Sequence, residues 1–112
     1  MFKSSVLFLA LLLFGIQPAA GAGSASAQPV RIEKITAEGG SIYLWSSNFV
    51  NPDSCATSAV LVVPAGPNQD QFLSIALTAL TAQKPVTLWL SGCTPTNWYA
   101  SAPVVVSISI FQ

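Results

Sequence analysis

Between Pro64 and Pro85 the spacing of apolar residues changes period, and it does so only once in the chain. From Val30 to Pro64 and after Pro85 the apolar residues follow the two-residue period of strands. Within residues 68–83 they recur at helical spacing. Phe72, Leu73, Ala76, Leu77 and Leu80 form one apolar stripe, and Ser74, Thr78 and Thr81 line the opposite face. Asn68 reads as an N-cap, with Gln71 in a capping-box relation and Asp70 at the positive end of the helix dipole. The helix should end near Gln83, because Pro85 lacks the N–H and the room to continue it. Lys84 suits the negative end. One helix set between runs of strands restricts the chain to a mainly β domain.

The strands follow from alternation. Val30 and Ile32 alternate in one phase, Ile35 and Ala37 in the other, which predicts a bulge near Glu33-Lys34. Gly39-Gly40 is a hairpin turn signal. Ser41 to Phe49 reads as a second strand, with Ile42 and Leu44 on one face and Tyr43 and Trp45 on the other. Both faces are apolar, so this strand should be central or have one face against a partner. Asn51-Pro52-Asp53-Ser54 is a turn. Cys55 should open a third strand that runs through Ala59–Val63. A fourth, Pro85 to Ser91, sets Val86, Leu88 and Leu90 against Thr87, Trp89 and Ser91. In the fifth, Val104, Val106, Ile108 and Ile110 alternate with Val105, Ser107, Ser109 and Phe111. The resulting order, β-β-β-α-β-β, is that of an OB-fold, a five-stranded barrel. The rival arrangement is an open antiparallel sheet with one helix packed on a face.

Residues 1–27 read as a signal peptide. Lys3 supplies a basic start, Val6 to Ile16 is almost wholly apolar, and Ala25-Ser26-Ala27 is an A-x-A processing site. Ala20-Gly21-Ala22 is an alternative site. The apolar run is too short for a membrane span, which needs roughly 20 residues. Residues 28–112 then form one small domain with no membrane span, exported to the periplasm or the medium.

That domain carries Arg31, Lys34 and Lys84 against Glu33, Glu38, Asp53 and Asp70. So slight a charge offers nothing to phosphate backbones, which excludes nucleic acid as a partner. A surface with so few charges is weakly protected against association, which fits an oligomer or a partner-binding face, and composition fits equally a small secreted protein with a hydroxyl-rich surface. The chain has no histidine, which excludes Ser-His and Cys-His nucleophiles and histidine metal sites. The carboxylates are scattered, so no pair for hydrolysis is evident. These residues describe a protein that is not an enzyme and needs no metal or cofactor.

Two cysteines in an exported small domain predict one disulfide, Cys55–Cys93. The loop after it, "CTPTNWYAS", places Asn97, Trp98 and Tyr99 among hydroxyl residues. Trp and Tyr offer a flat apolar face with a polar tip, which suits sugar rings and protein surfaces. These three are the candidate ligand residues; the alternative is that Trp98 folds back to cover a barrel end beside the disulfide. Trp89, on a strand, reads as core or interface.

The leader, "NPDSC", the helix "NQDQFLSIALTALTAQ", the following "KPVTLWLSGC" and the last alternating strand occur together. In this combination, residues 41–112 resemble small exported proteins related to the B subunits of AB5 toxins, particularly the subtilase cytotoxin binding subunit and its pertussis-like relatives. The resemblance implies an OB-fold homopentamer that lines a pore with its helices and binds cell-surface glycans on its outer face. In such an assembly Ser74, Thr78 and Thr81 would suit a wet pore or helix-helix face, with Trp89 at an interface. The alternative function is a periplasmic structural or inhibitor-type protein that binds one protein partner.

Overall fold

The computed structural model describes residues 24–25, 29–47 and 49–111. The leader predicted for residues 1–27 lies outside the described residues, apart from Ser24–Ala25. The fold is mainly β with one helix. Its elements are β1 (Ser24–Ala25), β2 (Lys34–Glu38), β3 (Ser41–Trp45), β4 (Val60–Val63), α1 (Gln69–Ala82), β5 (Val86–Thr94) and β6 (Ala102–Ile110). The strands form a sheet of order β1-β5-β6-β4-β3-β2. All neighbours are antiparallel except β4 and β6, which run parallel at Val62 and Val104.

This corrects the expected closed five-stranded barrel. The short β1 adds a strand ahead of the predicted series, and β1 and β2 end the sheet on opposite sides. The stretch between them touches β5 through one bridge. Val30 and Val86 exchange two backbone hydrogen bonds, each 2.8 Å. Beyond it the chain breaks phase at Glu33 and pairs with β3 instead, where Glu33 N–H donates to the Trp45 carbonyl at 2.8 Å. The predicted irregularity near Glu33-Lys34 therefore marks where the chain passes from one sheet edge to the other.

Gly39 and Gly40 both have positive φ, 62° and 86°, and make the tight turn between β2 and β3. That turn fixes the register, with Lys34 opposite Trp45 and Thr36 opposite Tyr43. β4 begins at Val60, so Cys55 lies in a loop and does not open the strand. Asn51 holds that loop open: its side-chain carbonyl accepts the Cys55 N–H (2.9 Å), and its amide donates to the Cys55 carbonyl (2.8 Å). Both backbone groups of Cys55 are thereby taken up, so this residue cannot join the ladder.

β5 and β6 make the longest pairing, and two bulges bend it. Ser91 and Gly92 together oppose Val104, with Gly92 at φ 83°. Val106 is the extra residue in the opposite strand, between the Trp89–Ser107 and Leu90–Val105 pairs. It reverses the predicted faces at Val105 and Val106 alone: Val105 is buried and Val106 exposed, whereas Ile108 and Ser109 face as predicted. A bulge adds one residue to a two-residue period, so the side chains beyond it change phase relative to those before it.

The helix packs on one face of the sheet. Its buried residues are Ala76 and Ala79, with Phe72, Leu73, Ile75 and Leu80 partly buried against Ile42, Leu44, Leu61, Val63, Leu88, Leu90 and Ile108. Leu77 stands out to solvent, which corrects the predicted apolar stripe. Asn68 occupies the N-cap position but makes no side-chain cap bond. Gln69 anchors the helix start instead, donating to the carbonyls of Gly40 (2.8 Å) and Val63 (3.2 Å). At the other end Gln83 adopts the left-handed conformation (φ 58°, ψ 43°). The N–H groups of Gln83 and Lys84 turn back to Leu80 and Ala79, closing the last turn. The Arg31 guanidinium donates to the Gln83 carbonyl, placing a cation at the negative end of the helix.

Candidate functional site

A second cluster lies on the opposite side of the sheet. Tyr43, Val60, Val62 and Ala102 are buried there, with Trp45 partly buried beside them. Alternation puts them there: the neighbours Ile42, Leu44, Leu61 and Val63 face the helix. Something must cover this outer face, and the loop after β5 does so. Trp98 meets Tyr43 edge-on at 4.8 Å between ring centroids and Trp45 at 5.2 Å with tilted planes. Such geometries suit aromatic quadrupoles, at about 0.5–1.5 kcal/mol per pair beyond burial. Trp98 does fold back, onto the outer face of β3, and it keeps 43% of its surface exposed.

The loop carrying Trp98 is held by its own backbone. Thr96 Oγ1 accepts the N–H groups of Trp98 (3.1 Å) and Tyr99 (2.8 Å), and Thr96 N–H donates to the Tyr99 carbonyl at 3.1 Å. Ser101 ties the loop base to the cysteine loop through Ala56 N–H (2.9 Å) and Thr57 N–H (3.2 Å). The disulfide Cys55–Cys93 joins the same two segments, with Cα atoms 5.6 Å apart. Asp53 adds a carboxylate that accepts the Gly92 N–H of the bulge at 2.7 Å. The "NPDSC" turn thus serves as a clamp on the end of β5.

Polar groups border the aromatics. The β2–β3 register sets Lys34 and Thr36 on the same face as Trp45 and Tyr43. Lys34 Nζ lies 4.4 Å from the Trp45 ring centroid, a cation–π contact worth about 0.5–1 kcal/mol when exposed. The Trp45 indole N–H donates to Thr36 Oγ1 at 3.1 Å, which fixes the ring. Asn97 is exposed beside Trp98, and Tyr99 is 36% exposed. The result is an exposed Trp98 ring over a buried Tyr43 and a half-buried Trp45, with the Lys34 ammonium and the Thr36 hydroxyl beside Trp45. Such a surface can take a ring-shaped ligand that has one apolar face and polar edges.

The structure brings Trp98 together with Tyr43, Trp45, Lys34 and Thr36, four residues that strand reasoning did not join to the loop. The signal was present for part of this set. Alternation put Tyr43 and Trp45 on one face, and a two-residue turn at Gly39-Gly40 would have set Lys34 and Thr36 across from them. Nothing in the sequence pointed the loop at that face.

The other predicted site residues lie elsewhere. Ser74, Thr78 and Thr81 are exposed along the helix, with Leu77 among them at 45% exposure. Trp89 is 47% exposed and points away from the core that Leu88 and Leu90 enter. It and the helix stripe therefore belong to different surfaces. A shallow apolar recess of about 200 Å³ lies between the helix end and β6, lined by Thr78, Ala82, Lys84, Ile110 and Phe111. Among the described residues no three His, Cys, Asp or Glu side chains gather to hold a metal ion. Two carboxylates have structural partners: Asp53 holds Gly92, and Glu33 accepts from Ser47 Oγ at 2.9 Å. Among the described residues no helix is long and apolar enough to cross a membrane.

Compared with known protein families, with curated proteins and with solved structures, the chain matches none.

Proposed function

We propose that the protein is an exported, non-catalytic binding module whose aromatic platform takes a glycan. The observation that carries this reading is the half-exposed Trp98 ring, set edge-on to Tyr43 and tilted against Trp45, which itself contacts Lys34 and Thr36. A pyranose ring offers an apolar C–H face and an equatorial rim of hydroxyls. The first matches the indole, and the second matches the donors and acceptors around it. The disulfide supports an oxidising compartment, and with the basic, apolar and small-residue run of residues 1–27 it supports export.

The homopentamer implied by the AB5 resemblance is part of the proposal. Its support is the exposed face Ser74, Leu77, Thr78 and Thr81, where one apolar side chain sits among short hydroxyls that allow close helix approach. The alternative, a single protein partner, draws on a separate observation: Leu77, Val106 and Phe111 are exposed large apolar residues.

A glycan array probed with the intact protein, followed by titration of the best glycan, tests the first reading. Binding should quench or shift tryptophan emission and disappear in Trp98→Ala. No glycan bound at millimolar concentration would remove the lectin reading. Native mass measurement tests the pentamer, and a single monomer peak would remove it.

A further inference from the structure

The N-terminal chain runs along one edge of β5. Ser24 lies opposite Leu90 and Ala25 opposite Trp89. Further on, Val30 pairs with Val86 through two hydrogen bonds of 2.8 Å, and Val30 is fully buried. Ser24–Ala25 and Val30 thus meet the same strand at Leu90, Trp89 and Val86.

Two processing sites compete on sequence, after Ala22 and after Ala27. They have opposite consequences for this edge. Cleavage after Ala27 removes β1 and leaves the outer edge of β5 at Trp89–Leu90 without a partner, beside an exposed indole, while the other edge stays paired with β6. An apolar edge with open N–H and C=O groups is a template for uncontrolled strand pairing. Cleavage after Ala22 keeps the edge covered. A second observation agrees: Ala20-Gly21-Ala22 follows the apolar run and Pro18 directly, where a leader's small-residue site belongs, and Ala25-Ser26-Ala27 lies farther off.

We infer that processing follows Ala22, so that the exported protein begins at Gly23 and keeps Ser24–Ala25 as a permanent cover strand on β5. The inference rests on the export reading and is independent of any ligand. Its test is the N-terminal sequence and intact mass of the protein recovered from the exported fraction after expression of the full chain in a bacterial host. A chain starting at Gly23 is expected. A chain starting at Gln28 overturns the inference and leaves export standing, and a chain retaining Met1 overturns both.

Hydrogen exchange tests the structural basis separately. Two forms are exported behind a cleavable leader, one starting at Gly23 and one at Gln28. The Trp89–Leu90 segment should exchange about tenfold faster in the shorter form, since its edge opens without unfolding the sheet. Equal exchange in the two forms would show that β1 covers nothing and would overturn the inference.

Discussion

Replacing Trp98 by alanine separates two roles that the ring combines, covering the outer face of the sheet and presenting a surface to solvent. With 43% of it exposed, a little over half of the ring is covered. For a side chain of ~250 Å², that is ~140 Å² of buried surface. At ~25 cal/mol per Å² this amounts to ~3.5 kcal/mol, an upper value because the unfolded chain also hides part of the ring. The alanine variant should therefore lose about 2–3 kcal/mol of folding stability, and its Tm should fall by about 10–20 °C for a domain of this size. Trp98→Phe keeps the edge-on contact with Tyr43 and should lose only about 1 kcal/mol. Far-UV circular dichroism in urea is the assay, because tryptophan emission changes with the substitution itself. An unchanged midpoint for Trp98→Ala would refute the claim that this ring closes the second cluster. Glycan binding measured at a temperature where the variant is folded then isolates the second role. Parent-like binding by folded Trp98→Ala would leave the ring as cover alone.

The disulfide closes 38 residues, so Cys55→Ser with Cys93→Ser should lower stability by about 4 kcal/mol in chemical unfolding. Asp53→Ala removes the acceptor for Gly92 N–H, and Asn51→Ala removes the bonds that shape the cysteine loop. Each should cost about 1–2 kcal/mol by the same measurement. Gln83 is a non-glycine residue in the left-handed region, so Gln83→Gly should stabilise by about 0.5–1 kcal/mol, seen as a higher Tm. Leu77→Asp should dissociate an oligomer built on the helix face while leaving the monomer's circular dichroism unchanged, as sedimentation would show.

Much of the strand and helix pattern can be read from alternation. The helix lies where the period changes, and the three apolar residues of β5 face the core as their spacing demands. Alternation fails where the ladder gains a residue. No local property of Val104-Val105-Val106 distinguishes the bulged residue, since all three are valine; the bulge is set by pairing with β5. The start of β4 was misplaced for a related reason. Cys55 to Ala59 could have been a strand, but Asn51 takes up the backbone groups that a ladder would need. Barrel closure could not be read either, because it depends on how many residues of the N-terminal chain pair with β5 before it crosses to β3. Of the candidate site, the loop aromatics and the β3 aromatics were each legible. Their meeting was not, because a seven-residue loop between β5 and β6 can fold toward either end of the sheet.

If the chain is exported as proposed, the strand order has a consequence for its passage through a membrane pore. The last of the described strands, β6, lies inside the sheet between β5 and β4. Residues that emerge first can form the β2–β3–β4 meander, yet that meander has no partner on its β4 side until the final residues arrive. Three short strands without the remaining core are marginal in water. For a protein exported N-terminus first, most of the chain would then stay unfolded until the C-terminus has crossed, and Cys55 would wait for Cys93 beside it. Placing the last strand at the centre keeps the chain threadable for as long as threading lasts.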